Sequence, residues 1–311
     1  MSRTYKATGI NLKSIPLGES DRILTILTRE CGLIRAVAPG ARKPKSKLGG
    51  RAGLFVVNEL VLTQGRSLDR ITQADTLESY PGLSKDLGKL TAGQYLAELA
   101  LCQALSDHPQ EELFSLLSEH LSRIEGFIIT GDRPSTTQVL PLLTQGIYHL
   151  LALGGIAPQV HACCLTQRPL TPDFKSLNWR VGFSISAGGT VSLANELRPS
   201  NSGVVFKSEP SSRSSPAVQA QTLPRKVDRQ LNAVELAILQ QLTAAELPQE
   251  THLNLQIQGM MGERPSVDQV WVSIEHLLRH YAQYHYGQSI RSATLMDTYI
   301  HSSIHSSKGS F

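Results

Sequence analysis

The hydrophobic pattern of this 311-residue chain changes period once, near residue 90, and no single element can carry both patterns. Up to that point the apolar runs are short and rich in Ile, Leu, Val and Thr. Arg22–Thr28 reads RILTILT, Leu33–Ala38 reads LIRAVA and Phe55–Thr63 reads FVVNELVLT. Tyr5–Leu12 opens the series and Ile71–Asp75 closes it, with Glu30-Cys31-Gly32 as a hairpin turn. Roughly five short strands joined by glycine-bearing turns make a small barrel or a sandwich.

From Thr91 onward the apolar residues recur at helical spacing. Thr91-x-x-Gln94 has the form of a capping box, followed by Tyr95, Leu96, Leu99, Cys102 and Leu105. Pro109 opens a second helix with Leu113, Leu116, Leu117, Leu121 and Ile124 on one face. A third is expected from about Thr136 to Leu153, ending at Gly154-Gly155, and a fourth over Asn232–Ala245. Ser266-x-x-Gln269 caps the clearest one, whose stripe runs from Val267 through Val270, Ile274, Leu277 and Leu278 to Tyr281 and stops at Gly287. Between the third and fourth helices, residues 160–198 are mixed, with a hairpin expected around Gly188-Gly189. Residues 199–216 hold seven Ser and three Pro, a composition that cannot bury a core and reads as a disordered linker. The C-terminal HSSIHSSKGSF reads as a frayed tail.

Composition fits a packed protein: 41% of residues are hydrophobic and 18% charged. No run of apolar residues is long enough to cross a membrane, and the N-terminus lacks the apolar core of a signal peptide. The four cysteines, Cys31, Cys102, Cys163 and Cys164, are too scattered for a disulfide framework, so a cytoplasmic location is expected.

The net charge of +4 hides an asymmetry. Residues 1–90 carry 15 Lys and Arg against 8 Asp and Glu, while the rest of the chain carries 15 against 18. No acid occurs between Glu30 and Glu59, a stretch that contains Arg35, Arg42, Lys43, Lys45, Lys47 and Arg51. Gly40, Gly49, Gly50 and Pro44 mark it as a long flexible loop between two strands. A small barrel with a charged loop is a common nucleic-acid-binding design, because the cations neutralise phosphates and release their counterions. The less favoured readings of the same loop are a solvated surface that only aids solubility and a dock for an acidic protein.

Catalytic signatures are missing. No phosphate loop, dinucleotide fingerprint, nucleophile elbow or H-E-x-x-H occurs. His276 and His280 share a helix face, but Leu277 stands where a zinc protease carries glutamate, so a solvated face is expected. His161, Cys163 and Cys164 form the densest group of soft ligands, with adjacent cysteines that do not suit a zinc knuckle. A nuclease would need clustered acids beside the basic stretch, which has none.

Several segments resemble those of the bacterial recombination mediators of the RecO family. They are Y-K-A-T-G-I-x-L (Tyr5 to Leu12), L-G-E-S-D-R-I-L (Leu17 to Leu24), the hairpin Thr28–Ala38 before Gly40-Ala-Arg-Lys, LALGGIAP (Leu151–Pro158), and LLRHYAQYHYGQSIRS ending at Ser292. The match is co-linear over about residues 3–295. The resemblance implies an α+β protein with an N-terminal OB-fold barrel at 1–80. A helical domain follows at 81–158 and 226–296, interrupted by a zinc-finger-like insert at 159–198 and the linker at 199–225, with the tail at 297–311. It places the four metal positions of the insert at Cys163, Thr166, Ser192 and Asn195. Only one is a cysteine, so the finger is degenerate, with no metal and no cofactor expected. It further implies a non-enzymatic protein that binds single- and double-stranded DNA, anneals complementary strands, and acts with RecR to load RecA on DNA coated by single-strand-binding protein. The alternative is an adaptor that docks the acidic tail of that protein without touching DNA.

Overall fold

The structure, a computed structural model, describes residues 3–131, 134–176, 178–193, 226–247, 257–258 and 265–306. The expected linker and Asn195 lie outside these residues. Five strands close into a barrel in the order β1-β2-β3-β5-β4. They are β1 (Thr4–Leu17), β2 (Asp21–Thr28), β3 (Gly32–Ala38), β4 (Val56–Thr63) and β5 (Asp69–Ser79). β1 is long enough to serve two neighbours: its first half pairs with β4 and its second half with β2. The bend between them is a bulge at Asn11/Lys13. The short parallel contact of Ala36 and Val37 with Asp69 and Arg70 completes the circle, giving the OB topology. Alternation places Leu24, Ile26, Leu60, Leu62 and Ile71 inside, with Ala7, Ala36 and Ala74 where the interior is too narrow for more.

The helices are α1 (Leu87–Gln103), α2 (Glu111–Gly126), α3 (Ser135–Leu153), α4 (Ala233–Gln241), α5 (Val267–Tyr286) and α6 (Arg291–Ser306). One compact unit contains the barrel, α1–α3, nearly all of α5, and α6; a second contains the described residues from 158 to 241. In the first unit α1 is central. Its buried residues include Ala92, Tyr95, Leu96, Leu99 and Ala100. It starts earlier than the capping-box pattern predicts: the Asp86 carboxylate accepts from the Lys89 N–H at 2.9 Å. Thr91 lies one turn inside, its hydroxyl donating to the Leu87 carbonyl at 2.8 Å. Close approach is needed at Gly146 of α3, where a Cβ would stand 2.9 Å from the Leu96 side chain.

The barrel is welded to the helices by main-chain bonds. The N–H of Leu33 donates to Leu105, that of Asp107 to Cys31 and that of Gln110 to Arg29. Gly32 sits under this strap with φ 70°, and any Cβ there would lie 2.1 Å from the Leu105 carbonyl oxygen. Across the weld, the Arg29 guanidinium lies 4.6 Å from the Phe114 ring centroid.

A histidine pair, His120 buried and His149 half-buried, joins α2 to α3. His149 Nε2 lies 2.9 Å from the Leu242 carbonyl and must donate to it. Its Nδ1 then accepts from His120 Nε2 at 3.1 Å, so both rings are neutral. Burial, then the neighbouring His149 and Arg123, pull His120 down to about 3. In the unfolded chain the ring takes up a proton below ~6.5, whereas in the native state it does not until far lower pH. Stability is therefore full above ~6.5 and falls as pH drops, by about 2 kcal/mol from this ring at pH 5. Urea titrations at pH 7 and pH 5 measure it. His120→Gln, which keeps a donor for His149, should flatten the acid limb.

The second unit has a three-stranded sheet, β7-β6-β8, from β6 (Val181–Ser184), β7 (Gly189–Val191) and β8 (Arg229–Leu231). The expected Gly-Gly hairpin is its β6–β7 turn. Helix α4 opens with a reciprocal box: the Asn232 N–H donates to Glu235 and the Glu235 N–H to Asn232, both at 2.9 Å. It ends at Gln241, short of the predicted Ala245, and the carbonyls beyond accept from other side chains. Leu242 takes His149, Ala244 takes Gln145, and Ala245 takes Arg123.

Two further expectations change. The tail expected to fray from residue 297 is helical through Ser306, because α6 is held at both its first turn and Asp297. Glu98 accepts from the N–H groups of Arg291 and Ser292 at 2.9 Å, and Arg279 donates to Asp297. His276 is half-buried with Nε2 3.1 Å from Asp297, so only His280 lies on a solvated face.

Candidate nucleic-acid interface

The basic stretch is not the flexible loop its composition predicts. Residues 39–55 form a chain of tight turns, with N–H groups of Lys43, Ser46, Gly49, Ala52 and Gly53 bonded to carbonyls three or four residues back. Its small apolar residues face inward: Ala41 and Ala52 belong to the barrel core, and Leu48 packs against it. The loop is thus a plug on one end of the barrel. Both of its ends are tied. At the start, the Gly40 N–H donates to Asp21 at 2.7 Å, and that bond, with the fields of Arg70 and Lys43, holds the Asp21 carboxyl below its ordinary value. At the far end, Asn11 donates its amide to the carbonyls of Arg51 and Gly53 at 2.7 and 2.8 Å, and Asn58 donates to Arg51 at 3.0 Å. Phe55 then turns the chain into β4 at φ 59°, 2% exposed.

With the apolar side chains inside, the cations point out. Lys43, Lys45 and Lys47 are exposed, and Lys45 takes φ 60°. Arg42 is exposed but anchored, donating to the Gly18 carbonyl at 2.6 Å. Arg51 is the least available of the six. It is half-buried, donates to the Lys47 carbonyl at 2.8 Å and lies 3.5 Å from Asp75. It braces the loop more than it presents charge. Arg35 is not in the loop: it is exposed on the outer face of β3, in a cross-strand row with Thr25 and Lys13. The structure therefore gathers five of the residues on the plug and sets Arg35 on the adjoining barrel wall. Sequence reading missed Lys13, Arg22 and Arg70, exposed or half-buried cations of the same barrel. Strand parity was the signal for Lys13; nothing local marks Arg22.

The insert offers different chemistry. Cys163 is fully buried, and its sulfur accepts from the Ser192 N–H at 3.2 Å. Burial pushes the thiol up. The Thr166 side chain and the N–H groups of Ser192, Thr166 and Leu165 more than offset this, leaving it below its ordinary value. Two of the four positions that resemblance assigns to a finger, Cys163 and Ser192, thus meet here through a hydrogen bond to the sulfur. His161 is exposed and does not join the two cysteines as a three-donor group among the described residues. Glu275, His276 and Asp297 do come within 4.8 Å of one another, but both carboxylates are engaged by Arg279.

The chain is an OB barrel with a basic plug, continued by helices, and two recombination-protein family models match it in that order. Residues 1–80 match the family model described as Recombination protein O N terminal, and residues 84–206 that described as Recombination protein O C terminal. Proteins named DNA repair protein RecO are similar over nearly full length. The one from Nostoc sp. is 52% identical over 305 residues, covering 96% of this chain and 97% of its own. That from Trichodesmium erythraeum is 53% identical over 302 residues, with 97% and 96% covered. That from Synechococcus elongatus is 42% identical over 307 residues, with 96% of each covered. The chain belongs to the RecO family of DNA repair proteins.

Proposed function

We propose that this protein is a non-enzymatic recombination mediator. It binds single- and double-stranded DNA through the barrel plug, anneals complementary strands, and with RecR helps load RecA on DNA coated by single-strand-binding protein. The observation that supports it is the plug itself: Arg42, Lys43, Lys45 and Lys47 are exposed on a hydrogen-bonded loop in a stretch without a single acid. Such a surface neutralises phosphates of either strand and reads no base, which suits pairing of arbitrary sequences. Two strands held on one cationic surface repel each other less, and annealing then needs no chemistry. Among the described residues no helix is long and apolar enough to cross a membrane.

Changing Lys43, Lys45 and Lys47 together to Gln tests the reading. Each neutralised contact lowers the slope of log affinity against log salt by about 0.7 on single strands and about 0.9 on duplex. The triple variant should therefore lose about 2 units of slope on single strands, uniformly over sequences, with its melting temperature unchanged. An unchanged slope removes these lysines as the contact. Capture of the acidic tail of single-strand-binding protein without any DNA binding would favour the adaptor instead.

A further inference from the structure

We propose that the phosphate-binding surface does not end at the plug. It continues as a track for one DNA strand across β1 into the groove between α1 and α6, with Arg22, Lys13 and Arg291 as its cations; this rests on the DNA-binding reading above. Two concavities carry the inference. The smaller, about 620 Å³, lies between the plug and the start of β2, and is lined by Arg22 and Arg42. The larger, about 1100 Å³, is walled by β1 at the bulge, by α1 and by the start of α6, and is lined by Lys13 and Arg291. They share Ser14 and Leu54 as a common wall, so a strand leaving the plug passes from one directly into the other.

The charge along this path suits a polyanion. Arg22 is steadied by donating to the Ser14 hydroxyl at 3.1 Å, and Lys13 and Arg291 are exposed. Lys13 also ends the cross-strand row that begins at Arg35, which places it two strand spacings, roughly 10 Å, from that cation. The acid lining the larger groove is Glu98. Its oxygens are taken by the N–H groups of Arg291 and Ser292 and by the Ser292 hydroxyl at 2.6 Å, so its charge is spent on the start of α6. Leu54, Leu101 and Leu295 give the groove an apolar side on which bases can lie. No aromatic ring lines it, so base stacking contributes little and sequence preference is weak. An apolar side is of use to the exposed bases of a single strand and not to a duplex, whose bases are stacked inside, so the occupant is one strand.

The test compares oligothymidylates of about 6 and about 15 nucleotides, which lie near the two ends of the ~4–16 nucleotides that one small barrel covers. Lys13→Gln/Arg291→Gln changes two exposed side chains and should leave the melting temperature alone. On the longer oligonucleotide its salt slope should fall by about 1.4 from wild type, and on the shorter one it should not change. Cys102, in the wall of the larger groove, gives a readout free of substitution: the longer oligonucleotide should slow its alkylation and the shorter should not. Equal slopes on the longer oligonucleotide, or alkylation indifferent to it, overturn the track. The plug reading is judged separately, by the triple lysine variant on the shorter oligonucleotide, so a failure of one is told from a failure of the other.

Discussion

Arg279→Met should destabilise the protein by about 3–5 kcal/mol, the range for removing one partner of a buried ion pair. Arg279 donates through Nε and one terminal nitrogen to both oxygens of Glu275, at 3.0 and 2.6 Å. It also reaches both oxygens of Asp297, at 2.5 and 2.8 Å. The Glu275 side chain is wholly buried, so without the guanidinium its charge is left without water and with only His276, at 3.8 Å, beside it. The adjacent Tyr95 phenol brings no compensating charge: burial first, and then Glu275, keep it protonated and neutral. Asp297, 29% exposed, can be rehydrated, which makes a specific reversal available. Glu275→Leu combined with Arg279→Met should recover most of the loss, as apolar replacements of buried pairs often do. Denaturant unfolding of the two variants decides it; equal losses would mean that the arginine acts by packing alone.

Phe55→Ala should cost about 3–5 kcal/mol, the usual range for deleting a buried aromatic ring. The ring lies against α1: a Cβ on Gly93 would stand 3.3 Å from its edge. Phe55 also holds φ 59°, and its N–H donates to the Asn11 carbonyl at 2.9 Å. Left-handed backbone disfavours any residue with a Cβ by about 1–2 kcal/mol, and alanine keeps that strain. Phe55→Gly releases it. Glycine should therefore be no worse than alanine here, and a thermal melt that ranks it well below alanine would refute the strained backbone.

The barrel was legible because each strand alternates against one narrow interior, and Glu30-Cys31-Gly32 and Gly188-Gly189 announce their turns. The same local logic misplaced the start of α1. Thr91 and Gln94 satisfy the box pattern, but Asp86 and the turn before it already supply the cap. The rigidity of the basic loop was not legible, since it depends on Asn11 and Asn58, which lie 40 and 7 residues from the carbonyl they grip. Glycine and proline signal turns; they do not say whether distant amides will lock them. The tail failed for a similar reason: its Ser-rich composition says little about helix, whereas Glu98, 193 residues away, caps it. Residues of the candidate interface were found by charge alone, and charge does not separate Lys43, which is exposed, from Arg51, which is a brace.

The locked turns of the plug have a thermodynamic consequence. A segment that folds on contact carries an ordering cost and a large negative heat-capacity change on association. The plug is already folded on its own hydrogen bonds and its alanines are already inside the barrel. A polyanion that docks on it buries little new apolar surface, so calorimetry should find a near-constant enthalpy with temperature and a favourable entropy from displaced counterions.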